Sequence, residues 1–293
     1  MRIGAVDDVA EFEQQRPRLF GIAYRMLGEA SEAEDVVQDA YLRWRSGHGP
    51  VQTPAAWLTT VVTNLCINRL TSARARRERY VGPWLPEPVA TGNDPQELVE
   101  RRDTVSLGFL VLMEKLTPPE RAVFVLREAF GYTHRDSAEV LGIDEGHARQ
   151  LYHRALGRLG DERRRFDARP ADGTKLVERF IAATVDGDVK GLEAILTEDA
   201  AIWADGGDKA IAAREPIFGR SNAAHYLAGL AAGPRARIAR LSVIEVNTTL
   251  AVLVHESGAL TGVLVPEIHD GAITTIRAVL NPDKLAYLRS QLD

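Results

Sequence analysis

The apolar residues of this chain change their period once, and the change falls at a breaker. Up to about Phe166 they recur at helical spacing. Arg169-Pro170-Ala171-Asp172-Gly173 interrupts the pattern, and after one more helical stretch, "TKLVERFIAATVDGDVKGLEAIL", four alternating runs follow at 236–246, 249–254, 260–268 and 272–280. A 3.6-residue period lays a stripe along a helix, whereas a period of two lays a face on a sheet, so no single element satisfies both. Strands confined to the C-terminal part predict two all-α domains followed by an α+β domain. Asp270-Gly271, between the last two runs, is a hairpin dipeptide.

Local signals divide the helical part. Phe12, Leu19, Phe20, Ile22, Ala23, Met26 and Leu27 line one helix. Ser31 with Glu34 reads as a capping box for "EAEDVVQDAYLRWR", and Thr53-Pro54 as an N-cap and first-turn proline opening the apolar run 55–70. Thr117-Pro118-Pro119-Glu120 reads as another capping box. Between the two blocks lies "GPWLPEPV", Gly82 to Val89. Its prolines at 83, 86 and 88 forbid a helix and favour an extended chain. A flexible spacer is Gly/Ser-rich and leaves no Trp in solvent, so this stretch is either an unusual spacer or a peptide that docks elsewhere in the chain.

Net charge is −5, which weighs against a wholesale polyanion binder, but the charge is segregated. Residues 28–39 carry Glu29, Glu32, Glu34, Asp35 and Asp39. Residues 69–79 carry Arg69, Arg74, Arg76, Arg77 and Arg79 against Glu78, and a second basic run at 149–169 includes Arg154, Arg158 and Arg163–Arg165. Such runs are ordinarily solvated helix faces; here they also offer an acidic face for a protein and basic faces for phosphates. Cys66 is the one cysteine, which excludes an intrachain disulfide. With no apolar leader at the N-terminus and no apolar run of membrane-spanning length, the expectation is a cytoplasmic chain that does not enter a membrane.

The most specific local pattern is "GYTHRDSAEVLGIDEGHARQLYHRALGRL", 131–159. Thr133 caps a short helix, small Ala138 allows close approach, Gly142 makes the turn, Ile143 plugs the core, and Ala148 and Leu151 face inward. That is a helix-turn-helix, whose second helix enters the major groove. The outward positions are His147, Arg149, Gln150, His153 and Arg154. Arg pairs bidentately with guanine, Gln with adenine, and Arg or His with phosphate. An ordinary αα-hairpin solvated by Arg is the competing reading, and the basic continuation through Arg158 favours nucleic acid.

"AEDVVQDAYLRWR" and "TPAAWLTTVVTNLCINRLTSARARRE", followed after a short linker by "LTPPERAVFVLREAFGYTHRDSAEVLGIDEGHARQLYHRALGRL", resemble the extracytoplasmic-function (ECF) group of bacterial sigma factors. The resemblance implies a sigma2 helical bundle at 1–80 that binds the β′ clamp helices of core RNA polymerase and opens the −10 promoter element. A linker at 81–95 leads to a sigma4 helix-turn-helix domain at 96–167 that reads the −35 element and touches the β flap. It places Asp35, Gln38 and Asp39 on the polymerase-binding helix. Trp57, Asn64, Asn68, Arg69, Arg74, Arg76 and Arg77 fall at the melted −10 strand, with residues 46–52 in a loop that captures a flipped base. Arg149, Gln150, His153, Arg154 and Arg158 fall at the −35 element. Read by residue type alone, Trp57 is more often core, and an acidic helix face is more often merely solvated.

The extension at 172–293 looks like a SnoaL-like cone, an α+β domain with a curved sheet wrapped by helices. A SigJ-like subgroup of ECF factors carries such an extension with three motifs. Here they read Trp84-Leu85-Pro86-Glu87-Pro88, Asp205-Gly206-Gly207-Asp208-Lys209 and Asn281-Pro282-Asp283-Lys284-Leu285, with Asp208 where the subgroup has Gly. An Asp tolerates a left-handed turn residue, so the second loop is expected to survive. The resemblance implies that the extension regulates in cis by docking on the linker, making a separate anti-sigma protein unnecessary. Ordinary turn chemistry is the plainer reading of the last two motifs. Many SnoaL-like proteins are enzymes, and His225, His255, His269, Asp199 and Asp205 are the titratable candidates for an acid/base pair. Their spacing singles out no pair. No Cys/His metal spacing, phosphate loop or nucleophile elbow is present, so neither catalytic residues, a metal nor a cofactor is expected. The alternative function is a DNA-binding regulator fused to a catalytic or small-ligand-binding SnoaL-like domain; a conventional helix-turn-helix repressor would leave the N-terminal block without a role.

Overall fold

A computed structural model describes residues 4–47, 51, 53–77, 80–91, 105–163, 173–233 and 238–293, without the side chains of 4–8, 73–77, 161 and 163. The chain forms two compact units. One comprises 1–78, 94–105 and 110–163; the other comprises 79–93, 106–109 and 164–293.

In the first unit, α1 (Gly4–Leu27), α2 (Ala30–Ser46) and α3 (Pro54–Arg77) pack around Leu19, Ile22, Met26, Trp44, Leu58, Val62 and Cys66. The expected start of α3 is present, with Thr53 accepting from the amides of Ala56 and Trp57. The expected Ser31/Glu34 capping box is not formed. α2 begins at Ala30 behind Glu29, which makes no side-chain cap, so Ser31 already lies in the first turn. The chain had turned at left-handed Gly28, whose N–H closes α1 on Tyr24 O at 2.8 Å, and that turn sets the start of α2.

α4 (Leu107–Leu112) leads through a 3-10 turn to α5 (Pro118–Phe130), which carries the predicted capping box of Thr117 and Glu120. α6 (His134–Leu141) and α7 (Glu145–Leu159) form the helix-turn-helix. Thr133 and Asp136 cap α6, left-handed Gly142 makes the turn, and Asp144 Oδ1 accepts from His147 N–H at 2.9 Å to cap α7. Ala148, Leu151, Ala155 and Leu159 are buried, while Ile143 is only half-buried.

The two helical blocks pack together within this unit. Arg121 of α5, 2% exposed, donates from Nε to Arg25 O at 3.0 Å and pairs with Glu114 at 2.5 Å. Arg18 donates to Tyr132 Oη at 2.8 Å and lies over the Phe130 and Tyr132 rings.

The second unit contains a six-stranded sheet with helices packed against it. α8 (Thr174–Asp186) and α9 (Val189–Glu193) precede β1 (Leu196–Asp205) and β2 (Ile217–Phe218). α10 (Arg220–Ala231) then leads to β3 (Ala239–Val246), β4 (Thr249–Glu256), β5 (Ala259–His269), β6 (Ala272–Val279) and α11 (Ala286–Leu292). The order is β2-β1-β6-β5-β4-β3, with β1 parallel to β6 and the other pairs antiparallel. Two-residue turns join β3 to β6, and all have positive φ: Asn247-Thr248, Ser257-Gly258 and Asp270-Gly271. That turn type follows the right-handed twist of the strands. Val177, Phe180 and Leu192 pack with Ala223, Ala224 and Leu227 of α10 against Ile202, Val252, Ile273 and Ile276. This is the α+β domain with a curved sheet that the change of period required. β1, β2, α10 and α11 are additions to the predicted elements. At position 208 the expected left-handed Asp is absent; the left-handed residue of that loop is Gly207, φ 56°.

Candidate functional site

The Pro-rich linker is built into the second unit. Leu85 to Thr91 are all buried, with Leu85 at 1% and Glu87 at 5% exposure. Asp205, at the end of β1 and fully buried, is the hub. Its Oδ2 accepts from Leu85 N–H at 2.8 Å and from Lys284 Nζ at 2.6 Å, and its Oδ1 accepts from Tyr80 Oη at 2.5 Å. Lys284, 6% exposed, also donates to Leu85 O at 2.5 Å and lies 4.6 Å from the Tyr80 ring centroid and 4.4 Å from that of Trp84. Both backbone groups of Leu85 are thus held by one buried ion pair, whose ammonium two aromatic faces cover. Burial, then the hydrogen bond to the Asp205 carboxylate, pushes the Tyr80 hydroxyl well above the usual tyrosine range.

The other motif residues shape this pocket. Asn281 Nδ2 donates to Tyr80 Oη at 2.8 Å, and Asn281 Oδ1 accepts from Asp283 N–H at 3.1 Å. The amides of Leu280 and Asn281 donate to Asp205 O at 2.7 and 2.9 Å. A Cβ on Gly207 would stand 2.8 Å from Asn281 Nδ2 and 3.0 Å from Tyr80 Oη; on Gly206 it would stand 2.4 Å from Ala210 O. Lys209 pairs with Asp283 at 2.5 Å on the surface, and that hydrogen bond raises the Lys209 pKa. Pro282 contributes its carbonyl, which accepts from Arg289 at 3.4 Å.

A second fastening lies along β3, an edge strand. Ala90 bridges Val246 in antiparallel fashion, Val89 N–H donates to Asn247 Oδ1 at 3.1 Å, and Asn247 N–H returns to Val89 O at 2.9 Å. Thr91 N–H donates to Glu245 O at 3.0 Å, its hydroxyl donates to Glu245 Oε1 at 2.8 Å, and Ala90 N–H donates to Gln291 Oε1 at 2.9 Å. The linker therefore pairs with a sheet edge through one antiparallel bridge. Sequence reading missed Tyr80, Thr91, Glu245, Asn247 and Gln291. The Asn247-Thr248 gap between two alternating runs was the available signal for one of them.

In the first unit, Asp35 and Gln38 are exposed on α2, and Leu42, one and two turns on, is 54% exposed beside them. On α3, Asn64 and Asn68 are exposed on one face; Trp57 is half-buried, its ring 5.5 Å from buried Trp44. Arg69 has partners that the sequence did not suggest: its guanidinium donates to Glu32 at 2.7 Å and Asp39 at 2.8 Å, with Asp35 at 3.8 Å, so it ties α3 to α2. These carboxylates hold its pKa high against the effect of burial. The side chains of Arg74, Arg76 and Arg77, and most of loop 46–52, lie outside the described residues.

On α7, Arg149, Gln150, His153, Arg154 and Arg158 are exposed, in front of the buried Ala148–Leu151–Ala155 stripe. Arg149 shares its charge with Glu145 at 2.8 Å. Tyr152, between them, donates to Glu128 at 2.5 Å under the Arg127 guanidinium, anchoring α7 on α5. Among the enzyme candidates, Asp205 is engaged in the linker pocket, His225 Nδ1 contacts Ser221 O at 2.8 Å, and His269 lies 3.6 Å from Asp270. No helix among the described residues is long and apolar enough to cross a membrane.

Residues 12–76 match the Sigma-70 region 2 family and residues 107–159 the Sigma-70 region 4 family. The ECF RNA polymerase sigma factor SigJ of Mycobacterium tuberculosis is 34% identical over 297 residues, covering 94% of this chain and 93% of that protein. This chain belongs to the ECF RNA polymerase sigma factors. A probable ECF RNA polymerase sigma factor, SigI of the same organism, is 31% identical across 97% of the factor and 96% of its own length. The crystal structure of M. tuberculosis SigJ superposes with a TM-score of 0.75 at 32% identity, covering 95% of the factor and 98% of that chain. Coverage of that extent takes in the extension as well as the two sigma regions.

Proposed function

We propose that the factor directs core RNA polymerase to specific promoters and that its C-terminal domain regulates it in cis through the linker. In this reading Asp35, Gln38, Asp39 and Leu42 meet the β′ clamp helices. Trp57, Asn64 and Asn68, with Arg74, Arg76 and Arg77, meet the opened −10 strand. Arg149, Gln150, His153, Arg154 and Arg158 meet the −35 element, with the surrounding domain at the β flap. Such a protein performs no bond chemistry. It supplies sequence readout and a strand-opening surface, and the polymerase supplies the remaining affinity, so a net negative chain suffices.

The observation that carries the proposal is the linker itself. Leu85 to Thr91, within the segment joining the two DNA-facing regions, are buried, with Leu85 held by Asp205 and Lys284 and Val89 by Asn247. A domain that fixes this segment limits where the two regions can go. A regulator carried in cis makes a separate anti-sigma protein unnecessary, and the setting expected is the cytoplasm. Run-off transcription with purified core polymerase tests the proposal: the wild-type factor starts a promoter-specific transcript, and Asp205→Asn changes its yield. Absence of a specific transcript, or wild-type yield from Asp205→Asn, refutes the corresponding half.

A further inference from the structure

Glu120 does more than its capping role requires. It is 2% exposed at the N-terminus of α5, where its Oε2 accepts from Thr117 N–H at 3.0 Å. A glutamine serves a capping box equally well, so the cap needs no charge at this position. The charge is nonetheless present and buried, and two cations of α7 converge on it. Arg154 Nε stands 3.4 Å from Oε1 and Arg158 Nε stands 3.3 Å from Oε2. The two arginines lie one turn apart on one face of α7 and remain 52% and 48% exposed, so only the inner edge of each guanidinium is occupied. Arg158 is fixed further by a hydrogen bond from Nη1 to Lys115 O at 3.4 Å.

We propose that Glu120 is a positioning residue for DNA readout: it holds Arg154 and Arg158 in place so that their outer N–H groups meet a promoter phosphate or base edge already ordered. The inference rests on the reading of α7 as the −35-facing helix. Binding by a free arginine freezes a long side chain, at a cost in entropy; binding by one already held on a buried carboxylate avoids most of that cost. The carboxylate also removes one positive charge from the face, which weakens attachment to arbitrary DNA. The ordering raises the ratio of specific to non-specific binding, whereas the lost charge weakens both kinds of binding. A carboxylate merely neutralised by two nearby arginines would leave that ratio alone.

The test uses full-length factor with core polymerase. The probes are a promoter duplex selected from a random library and the same duplex with its −35 element scrambled. The Glu120→Gln variant is expected to lower the affinity ratio at least about tenfold, because two long side chains must then be frozen on binding. Its log–log salt slope on the scrambled duplex should steepen by about 0.9, for one more phosphate neutralised. Thr117→Ala, which weakens the same cap but keeps the carboxylate, is expected to lower the melting temperature and keep the wild-type ratio. If Glu120→Gln does not fold, Arg158→Lys serves, since it keeps the charge but loses the fork that spans Glu120 and Lys115 O; a several-fold fall in the ratio is expected. An unchanged ratio in whichever variant folds overturns the role of Glu120. Failure of the wild-type holoenzyme to distinguish the two duplexes overturns the reading of α7 and this inference with it.

Discussion

Replacing Lys284 by Met keeps most of the side-chain length and removes the ammonium that holds the linker. In the wild type this group neutralises a fully buried carboxylate, donates to Leu85 O and sits against two aromatic rings. Breaking a buried pair by removing one partner costs about 3–5 kcal/mol, because the other charge is left uncompensated. Asp205 would keep its bonds from Tyr80 Oη and Leu85 N–H, which places the effect near the lower end, at about 3 kcal/mol. That energy resides in the contact between linker and sheet, so it appears as easier release of the linker. At about 1.4 kcal/mol per tenfold, the Leu85 amide should exchange with solvent about a hundred times faster. Amides in the centre of β4 and β5 should change far less, since the sheet ladder does not involve Lys284. The assay is amide exchange resolved to single residues on the full-length factor. Asp205→Asn combined with Lys284→Met should cost less than the sum of the two single changes, because the pair is then removed as a unit. Wild-type protection of Leu85 in Lys284→Met would refute the reasoning, as would strictly additive costs.

Three further outcomes follow from the same geometry. Tyr80→Phe removes a donor from a buried carboxylate and should destabilise the linker contact by about 1–3 kcal/mol near neutral pH. The folded-state pKa of Tyr80 is raised, so its contribution is complete below the ordinary tyrosine value near 10 and falls as pH climbs beyond it. The difference between wild type and Tyr80→Phe in linker protection should therefore shrink in alkali, and a pH-independent gap would contradict this. Gly207→Ala meets Asn281 and Tyr80 at 3.0 Å or less and imposes a left-handed residue; a cost of about 1–2 kcal/mol is expected in thermal unfolding, and a neutral effect would contradict it. Arg69→Ala should lower the stability of the first unit by loosening α2 from α3 and leave the salt slope of promoter binding unchanged. A slope shallower by about one phosphate would place Arg69 at the DNA surface.

The architecture was legible wherever the period was clean. Alternation over 249–254 and 260–268, with Asp270-Gly271 between the last two strands, located most of the sheet, and Thr133, Gly142 and the buried Ala148–Leu151 pair located the helix-turn-helix. β1 was not legible. "LTEDAAIWAD" carries three acids and three alanines, and its parallel pairing with β6 is a long-range contact that leaves no turn beside it. The preceding helical pattern ran on to Leu196, at the start of the strand. α10, "RSNAAHYLAGLA", lacks a side-chain cap, and its apolar residues are mostly small. The linker pocket was legible only as three motifs carried by resemblance. Composition marked the Pro-rich stretch as an unusual spacer or a docking peptide, but nothing local to Tyr80 or Asn247 marks a residue that contacts a segment more than a hundred positions away. Arg69 shows the opposite case: its sequence neighbours are basic, and its neighbours in space are acidic.

The account rests most directly on one measurement, run-off transcription with purified core polymerase from a promoter selected by the holoenzyme. Wild-type factor, Lys284→Met and the double variant Arg149→Ala/Gln150→Ala would be run side by side. The expected result is a specific transcript that depends on the added factor, is lost with the α7 double variant, and changes several-fold in yield with Lys284→Met. A specific transcript of wild-type yield from all three proteins, or none from the wild type, would contradict it.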